Sequence, residues 1–212
     1  IKIVSKKKYD FIKIRKIKKI EPLNYKIPSD MSSAAFFIVL AALTDNSKLR
    51  IKNININPTR IGVIKILKKM GVSISLINKK KYKGELISDI VVKSSKNLKA
   101  INCPPKFNSG AIDEFLLIFL IAAKAKGTSY FKDLAELNEK ESPRLKWGAK
   151  ILKNMGIKVK LTKDSIKIHG NPELNINKKI EIKNFLKDHR VFMTSVVAAY
   201  CFGGNWKIHN KD

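Results

Sequence analysis

"KILKKMGVSISL" at residues 65–76 and "KILKNMGIKVKL" at 150–161 are two copies of one pattern. In each, apolar residues fall three and four apart up to a glycine, Gly71 or Gly156, and then alternate with polar ones. The change of period, from about 3.6 to two, predicts a helix, a glycine at its C-cap and then a strand. A supersecondary pattern that returns at this spacing marks a structural unit built more than once. Upstream of each copy lies an apolar helical stretch introduced by an acid and followed by a short strand: Asp30–Leu43 before "KLRIKN", and Asp113–Ala125 before "TSYFKD". A third such stretch begins at Asp188, runs through "VFMTSVVAAY" and reaches "NWKIHN". The fold class read from this is α/β, a three-fold repeat whose units start near Asp30, Asp113 and Asp188, the third cut off after its first strand.

The first helix of each unit, Ser32–Leu43, Glu114–Ala125 and His189–Tyr200, is apolar almost all round. A helix of that kind cannot lie on a wet surface, so the three are expected to pack in parallel in the interior with sheets outside them. Residues 1–20 alternate Ile, Val or Phe with Lys and predict a two-stranded hairpin turning near Lys7–Asp10. The chain opens on Ile1 rather than Met and closes just after the strand-like Trp206–His209, which reads as a fragment.

Composition narrows the function classes. The 212 residues carry 44 Lys+Arg against 17 Asp+Glu, a net charge of +27, and 44% of them are hydrophobic, enough for a full core. A charge of that size raises nucleic acid as a partner. However, only Arg15, Arg50, Arg60, Arg144 and Arg190 are arginine, and the lysines are scattered along nearly every element. Nucleic-acid recognition favours arginine forks and stacking aromatics, so the lysines read first as solvated faces and no nucleic-acid partner is assigned. The longest apolar runs are too short to span a membrane. Cys103 and Cys201 make neither a disulfide framework nor a metal-ligand spacing, which points to a reducing, cytoplasmic location.

Three clusters at predicted helix starts carry chemistry. "AIDEF" places Asp113 and Glu114 before an apolar helix, where plain capping acids are the simpler reading. "LNEKESPRLKWG" gathers Glu136, Glu139, Lys140, Glu141 and Arg144, with Ser142 suited to the N-cap and Pro143 to the first turn. "KDHRVFMTSVV" sets Asp188, His189 and Arg190 before the third apolar helix. Free N–H groups and an arginine fork at a helix start hold phosphate or carboxylate, so two such ends suggest a small anion between them.

In these motifs, "IPSDMSSAAFF" (27–37), "INPTR" (56–60), "ID" (112–113), "KGTSYFKD" (126–133), "KES-R" (140–144) and "DHR" (188–190), the chain resembles the 5-enolpyruvylshikimate-3-phosphate synthase family. The resemblance implies a two-domain enzyme, each domain built of three βαβαββ units around buried helices, an alpha/beta prism-like arrangement. Residues 1–26 would be the tail of the preceding N-terminal domain and the crossover, and 27–212 the C-terminal domain. The implied reaction moves the enolpyruvyl group of phosphoenolpyruvate to the 5-hydroxyl of shikimate 3-phosphate and releases phosphate, with no metal or organic cofactor. The implied partners are these two substrates and the missing N-terminal domain, in a protein monomeric when complete.

The resemblance also implies site roles. Asp113 would take the hydroxyl proton and contact shikimate 3-phosphate together with Lys140 and Glu136. Glu141 would exchange the methylene proton and, with Lys140, complete the catalytic set. Arg144, Arg190 and His189 would hold phosphoenolpyruvate beside Glu141. Pro143 stands where the family often has Asp, Asn138-Glu139 where it has Arg-Val, and Ser29 where it has Gly. Ser32 and Ser33 read as capping or packing residues, and His169 and His209 as structural. Two other readings stay open: a non-catalytic paralogue or fragment of the same fold, and a lysine-rich nucleic-acid binder, which the acid-rich loops disfavour.

Overall fold

The structure, a computed structural model, describes residues 2–16, 22 and 24–209. The chain opens on a hairpin, β1 (Lys2–Ser5) and β2 (Asp10–Lys13), paired antiparallel from Lys2 opposite Lys13 to Ser5 opposite Asp10. The hairpin expected over 1–20 is thus seen within 2–13, and residues 1 and 17–20 lie outside the described residues. Then come helix α1 (Met31–Leu43), strand β3 (Lys48–Asn55), helix α2 (Gly62–Lys69) and strands β4 (Ser73–Tyr82) and β5 (Glu85–Lys93). The same succession follows as α3 (Phe115–Lys124), β6 (Gly127–Phe131), α4 (Arg144–Asn154), β7 (Lys158–Leu161) and β8 (Ile166–Gly170). Strand β9 (Ile176–Ile182), helix α5 (His189–Phe202) and strand β10 (Gly203–Ile208) complete it.

The two three-stranded sheets are antiparallel and share one order, β3-β5-β4 and β6-β8-β7, in which the last strand of each set lies between the other two. Both depend on the glycine after the second helix. Gly71 and Gly156 each have φ of +90°, a left-handed conformation in which a Cβ is strained, and each lets the chain leave its helix and enter a strand. A short extended segment before each apolar helix pairs in parallel with the strand after it: Ser29 with Ile54, Lys99 with Lys126, Asn102 with Tyr130, and β9 with β10.

α3 is buried on every side from Phe115 to Ala123, as its unbroken apolar sequence requires. At the N-terminal ends, Ser32 of α1 donates a 2.5 Å hydrogen bond to Glu114, just before α3, and Arg190 of α5 lies 3.9 Å from the same carboxyl. At the other ends Thr44, Lys124, Tyr200 and Cys201 line one cavity, and the Cys201 thiol points to the Leu40 carbonyl. The three helices therefore run side by side in one direction. Asp30 caps α1, accepting from the Ser33 amide at 2.7 Å, and Asp188 caps α5, accepting from the Arg190 and Val191 amides. α5 is the least enclosed, with Val196 and Tyr200 exposed.

Two local expectations are corrected. Asp113 and Glu114 do not cap α3: the chain forms a 3-10 turn over Ser109–Glu114 and the α-helix begins at Phe115 without a side-chain cap. Ser142 is not the N-cap of α4 either. Pro143 holds that position, and the Ser142 hydroxyl donates to Asp188 across the molecule. A buried carboxylate is the stronger acceptor for that hydroxyl, and Pro143 has no N–H to satisfy.

The solvent faces carry the lysines. Lys65, Lys68 and Lys69 of α2, Lys79, Lys80 and Lys81 of β4, and Lys146, Lys150 and Lys153 of α4 are all exposed. They lie on three separate elements of the chain. Among the described residues no helix is long and apolar enough to cross a membrane.

Candidate active site

The N-terminal ends of the three central helices enclose Asp113, whose side chain keeps 21% of its surface exposed. Four cations surround it. The Oδ1 atom lies 3.4 Å from Arg144 Nη1 and 3.7 Å from Lys140 Nζ; Oδ2 lies 3.8 Å from Arg60 Nη2 and 3.9 Å from Arg190 Nη2. All four contacts are longer than a tight charge-assisted hydrogen bond, and only Arg144 Nη1 donates a hydrogen bond to the carboxylate, a long one at 3.4 Å, so lone pairs are left for a hydroxyl donor. They come from three parts of the chain: Arg60 from the loop before α2, Lys140 from the approach to α4 and Arg144 from its first residue, and Arg190 from the first turn of α5. Arg190 also donates from Nη1 to the Asp113 carbonyl at 3.1 Å, which fixes its side chain over the turn.

Arg144 is the most enclosed of the set, with 2% of its side chain exposed. Its Nε donates to Asp188 Oδ2 at 2.9 Å and its Nη2 reaches Asp188 Oδ1 at 3.3 Å, a fork against a carboxylate that is itself fully buried. Nη2 also pairs with Glu141. Burial pushes the Asp188 carboxyl up, but hydrogen bonds from Arg144 and Ser142 and the Arg144 charge outweigh it and hold the group below its ordinary range. Asp188 thus has two tasks: it caps α5 and anchors the arginine that begins α4.

Backbone packing sets the same site. Gly62 opens α2 against Gly110 of the 3-10 turn; a Cβ on Gly62 would lie 2.5 Å from the Gly110 carbonyl carbon and 2.6 Å from the Phe107 carbonyl oxygen. This contact presses the Arg60 loop against the Asp113 turn, and backbone atoms cannot yield as a flexible side chain can. Gly62→Ala is therefore expected to destabilise the chain by about 1–3 kcal/mol, the range for overpacking. An unchanged urea midpoint would show that the two segments do not touch. On the other side, the approach to Asp188 holds Asn184, Leu186 and Lys187 at φ of 62°, 55° and 55°. Non-glycine residues rarely adopt that region, and strain of this kind gathers where a loop must aim specific side chains.

The structure thus brings Asp113, Lys140, Glu141, Arg144 and Arg190 into one cluster. Glu136 joins through Lys140, at 2.9 Å, and is otherwise exposed. His189 is exposed at the start of α5 and makes no hydrogen bond or ion pair with the cluster among the described residues. His169 meets Thr128 across β6 and β8, and His209 meets Glu181, both away from the site.

Sequence reasoning gave no site role to Arg60, read Glu114 and Asp188 as no more than acids at helix starts and Ser32 as capping or packing, yet all four are part of this cluster. One signal for Arg60 was available. In a chain with only five arginines among 44 basic residues, an arginine marks a place where a flat fork is required. Three of the five converge on Asp113, and Arg50 forms the comparable pair with Asp89 at 2.6 Å on β3 and β5. Among the described residues no group of three or more His, Cys, Asp or Glu side chains has metal-site geometry.

Comparison with known proteins gives this arrangement a family. The family model described as EPSP synthase (3-phosphoshikimate 1-carboxyvinyltransferase) matches residues 1–212. A 3-phosphoshikimate 1-carboxyvinyltransferase of Petrotoga mobilis is 39% identical over 195 residues, covering 92% of this chain and 44% of that protein. One from Ruthia magnifica subsp. Calyptogena magnifica is 43% identical over 82% of this chain and 39% of its own length. An EPSP synthase structure from Acinetobacter baumannii superposes with a TM-score of 0.80 at 40% identity, over 87% of this chain and 42% of that one. The enolpyruvyl transferase NikO of Streptomyces tendae shares the fold at a TM-score of 0.58 and 15% identity. The chain spans less than half the length of these relatives, and within that span it belongs to the EPSP synthase family.

Proposed function

We propose that this chain is the C-terminal half of a 3-phosphoshikimate 1-carboxyvinyltransferase, which joins phosphoenolpyruvate to the 5-hydroxyl of shikimate 3-phosphate and releases phosphate. The observation that carries the reading is Asp113: a partly exposed carboxylate among four cations, none at short hydrogen-bond distance. Residues 27–212 form this domain, and residues 1–26 are the tail of the other domain and the crossover. The chain is laid out as three units, each a strand, a buried helix and a parallel strand, the first two continuing into a second helix and two more strands. The matching order of the two sheets and the three parallel pairings across α1, α3 and α5 support that layout. The complete protein acts as a cytoplasmic monomer. The unpaired Cys103 and Cys201, their thiols pushed up to about 11 by burial, suit a reducing compartment.

The chemistry follows from the positions. The shikimate 5-hydroxyl donates to Asp113, which takes its proton as the oxygen bonds to C2 of phosphoenolpyruvate. Glu141, more exposed than its partner Arg144, delivers a proton to the methylene carbon from its protonated form in the addition and takes one back as phosphate leaves, the phosphate carrying off the proton held by Asp113. Lys140, bridging Asp113 and Glu136, turns its ammonium to the shikimate phosphate. Arg190 and Arg144 take the carboxylate and phosphate of phosphoenolpyruvate, with His189 swinging in beside the phosphate. Asp188 and Glu141 occupy most of the Arg144 donors, so an anion at Arg144 takes over the Glu141 contact and frees that carboxylate for proton transfer.

Arg190→Ala in the reassembled enzyme is expected to weaken phosphoenolpyruvate binding by about 1.5–3 kcal/mol, the range for a hydrogen bond to a charged group. Unchanged affinity in a titration would remove the assignment.

The charge balance predicts that residues 1–212 alone do not turn over. Arg60, Lys140, Arg144 and Arg190 face Asp113, Glu114, Glu136, Glu141 and Asp188, so the cluster has no net positive charge left for two anionic substrates. The missing half supplies the remaining cations and excludes water on closing, without which the field of an open half-site is screened. Phosphate release is assayed with both substrates, first with the chain alone and then after adding the missing half as a separate polypeptide. Activity without the added half would overturn the half-enzyme reading, and rescue on mixing is the expected result.

A further inference from the structure

Glu114 is a carboxyl that the reaction above does not use, placed where a carboxyl is expensive. Its side chain is 3% exposed, in the wedge between the N-terminal ends of α1, α3 and α5. A buried carboxyl without partners costs several kcal/mol, so what surrounds it matters. Oε1 accepts the Ser32 hydroxyl at 2.5 Å, and the same hydroxyl oxygen accepts from Arg60 Nη2 at 3.1 Å. Ser32 has one proton to give, so the direction of this chain is fixed: Arg60 to Ser32 to Glu114. Arg190 Nη1 lies 3.9 Å from the same Oε1. These two guanidinium groups are also the pair that faces Oδ2 of Asp113, at 3.8 and 3.9 Å. Glu114 therefore lies directly behind that side of the site and touches both arginines that flank it, one through a hydroxyl and one by charge.

We propose that Glu114 is a positioning residue, which holds Arg190 directly and Arg60 through Ser32 at fixed places beside Asp113 without touching substrate. Three groups face it: the Ser32 hydroxyl from α1, the Arg190 guanidinium from α5 and the Asp113 carboxylate from its own turn, with Arg60 behind Ser32. Burial pushes the Glu114 carboxyl up and the Asp113 charge adds to the rise, while the Ser32 hydrogen bond and the Arg190 and Arg60 charges oppose it. Side chains that bind substrate need such support, because a fork that is free to swing loses affinity even when its charge is unchanged.

The consequence for phosphoenolpyruvate rests on the reading under Proposed function; the placement of the arginines does not. With five arginines in the chain, the side-chain Nε–Hε signals of the 15N-labelled 1–212 polypeptide can be assigned by Arg60→Lys and Arg190→Lys. In Glu114→Gln, the Arg190 and Arg60 signals are expected to shift and broaden while that of Arg50 stays in place. In Ser32→Ala only the Arg60 signal is expected to move, and this variant decides the matter should Glu114→Gln fail to fold. In the reassembled enzyme, Glu114→Gln is expected to raise KM for phosphoenolpyruvate about tenfold with kcat within twofold, a pattern that a lower fraction of folded protein does not produce. Unmoved Arg190 and Arg60 signals in folded Glu114→Gln would overturn the proposal, as would an unmoved Arg60 signal in Ser32→Ala. Absence of turnover in the reassembled wild type would overturn the enzymatic reading and leave the arginine test standing.

Discussion

Asp113→Asn is expected to lower turnover of the reassembled enzyme by about 100-fold or more while leaving phosphoenolpyruvate affinity nearly intact. Asparagine keeps the shape of the side chain and removes both its charge and its ability to take a proton. The cations around Asp113 are 3.4 to 3.9 Å away and are anchored elsewhere: Arg144 by Asp188, Arg190 by the Asp113 carbonyl, Arg60 by Ser32 and Lys140 by Glu136. Losing the carboxylate leaves them in place and releases a share of their charge for the anionic substrate, so binding should not weaken. Steady-state kinetics with each substrate varied would check this. A loss confined to KM would make Asp113 a binding residue only.

The second large effect concerns stability. Arg144→Met removes the only forked partner of Asp188 among the described residues and leaves a fully buried carboxylate with the Ser142 hydroxyl and the amides of α5. Breaking a buried pair from one side costs about 3–5 kcal/mol. A small domain has about 5–15 kcal/mol in all, so a large part of the population should unfold under mild denaturant. Replacing both partners, Arg144→Met with Asp188→Asn, should recover much of the loss because the amide can keep the cap without the charge.

The pH dependence gives an independent check with a defined sign. In the wild type the folded Asp188 carboxyl lies below its ordinary range near 4, so it contributes stability above that ordinary value and loses it as pH falls through the lower, folded value. In Arg144→Met, burial acts unopposed by the guanidinium and raises the group, so stability should instead fall as pH rises above 4. Urea midpoints between pH 3 and 7 for the two proteins would show this. Parallel curves would mean that the Arg144–Asp188 pair does not form.

The architecture was legible because it rests on local pattern. The change from helical to alternating period around Gly71 and Gly156, the apolar stretches after Asp30, Asp113 and Asp188, and the hairpin pattern at the start are properties of neighbouring residues, and each corresponds to an element at or near its expected place. Most residues of the cluster could be named for the same reason, since each stands at a predicted helix start beside an acid or an arginine. Ser142 and Glu114 show the limit. Their neighbours suggested helix caps, but Ser142 meets Asp188, 46 residues away, and Glu114 meets Ser32, 82 residues away. A hydroxyl or carboxyl takes the strongest partner within about 3 Å, and for both that partner comes from a distant part of the chain. The sequence by itself determined which residues bear charge at the ends of the three central helices. Only the tertiary structure, by packing those helices in parallel with their N-termini together, decided that Arg60, Lys140, Arg144 and Arg190 surround one carboxylate and that Glu114 and Asp188 are buried behind them.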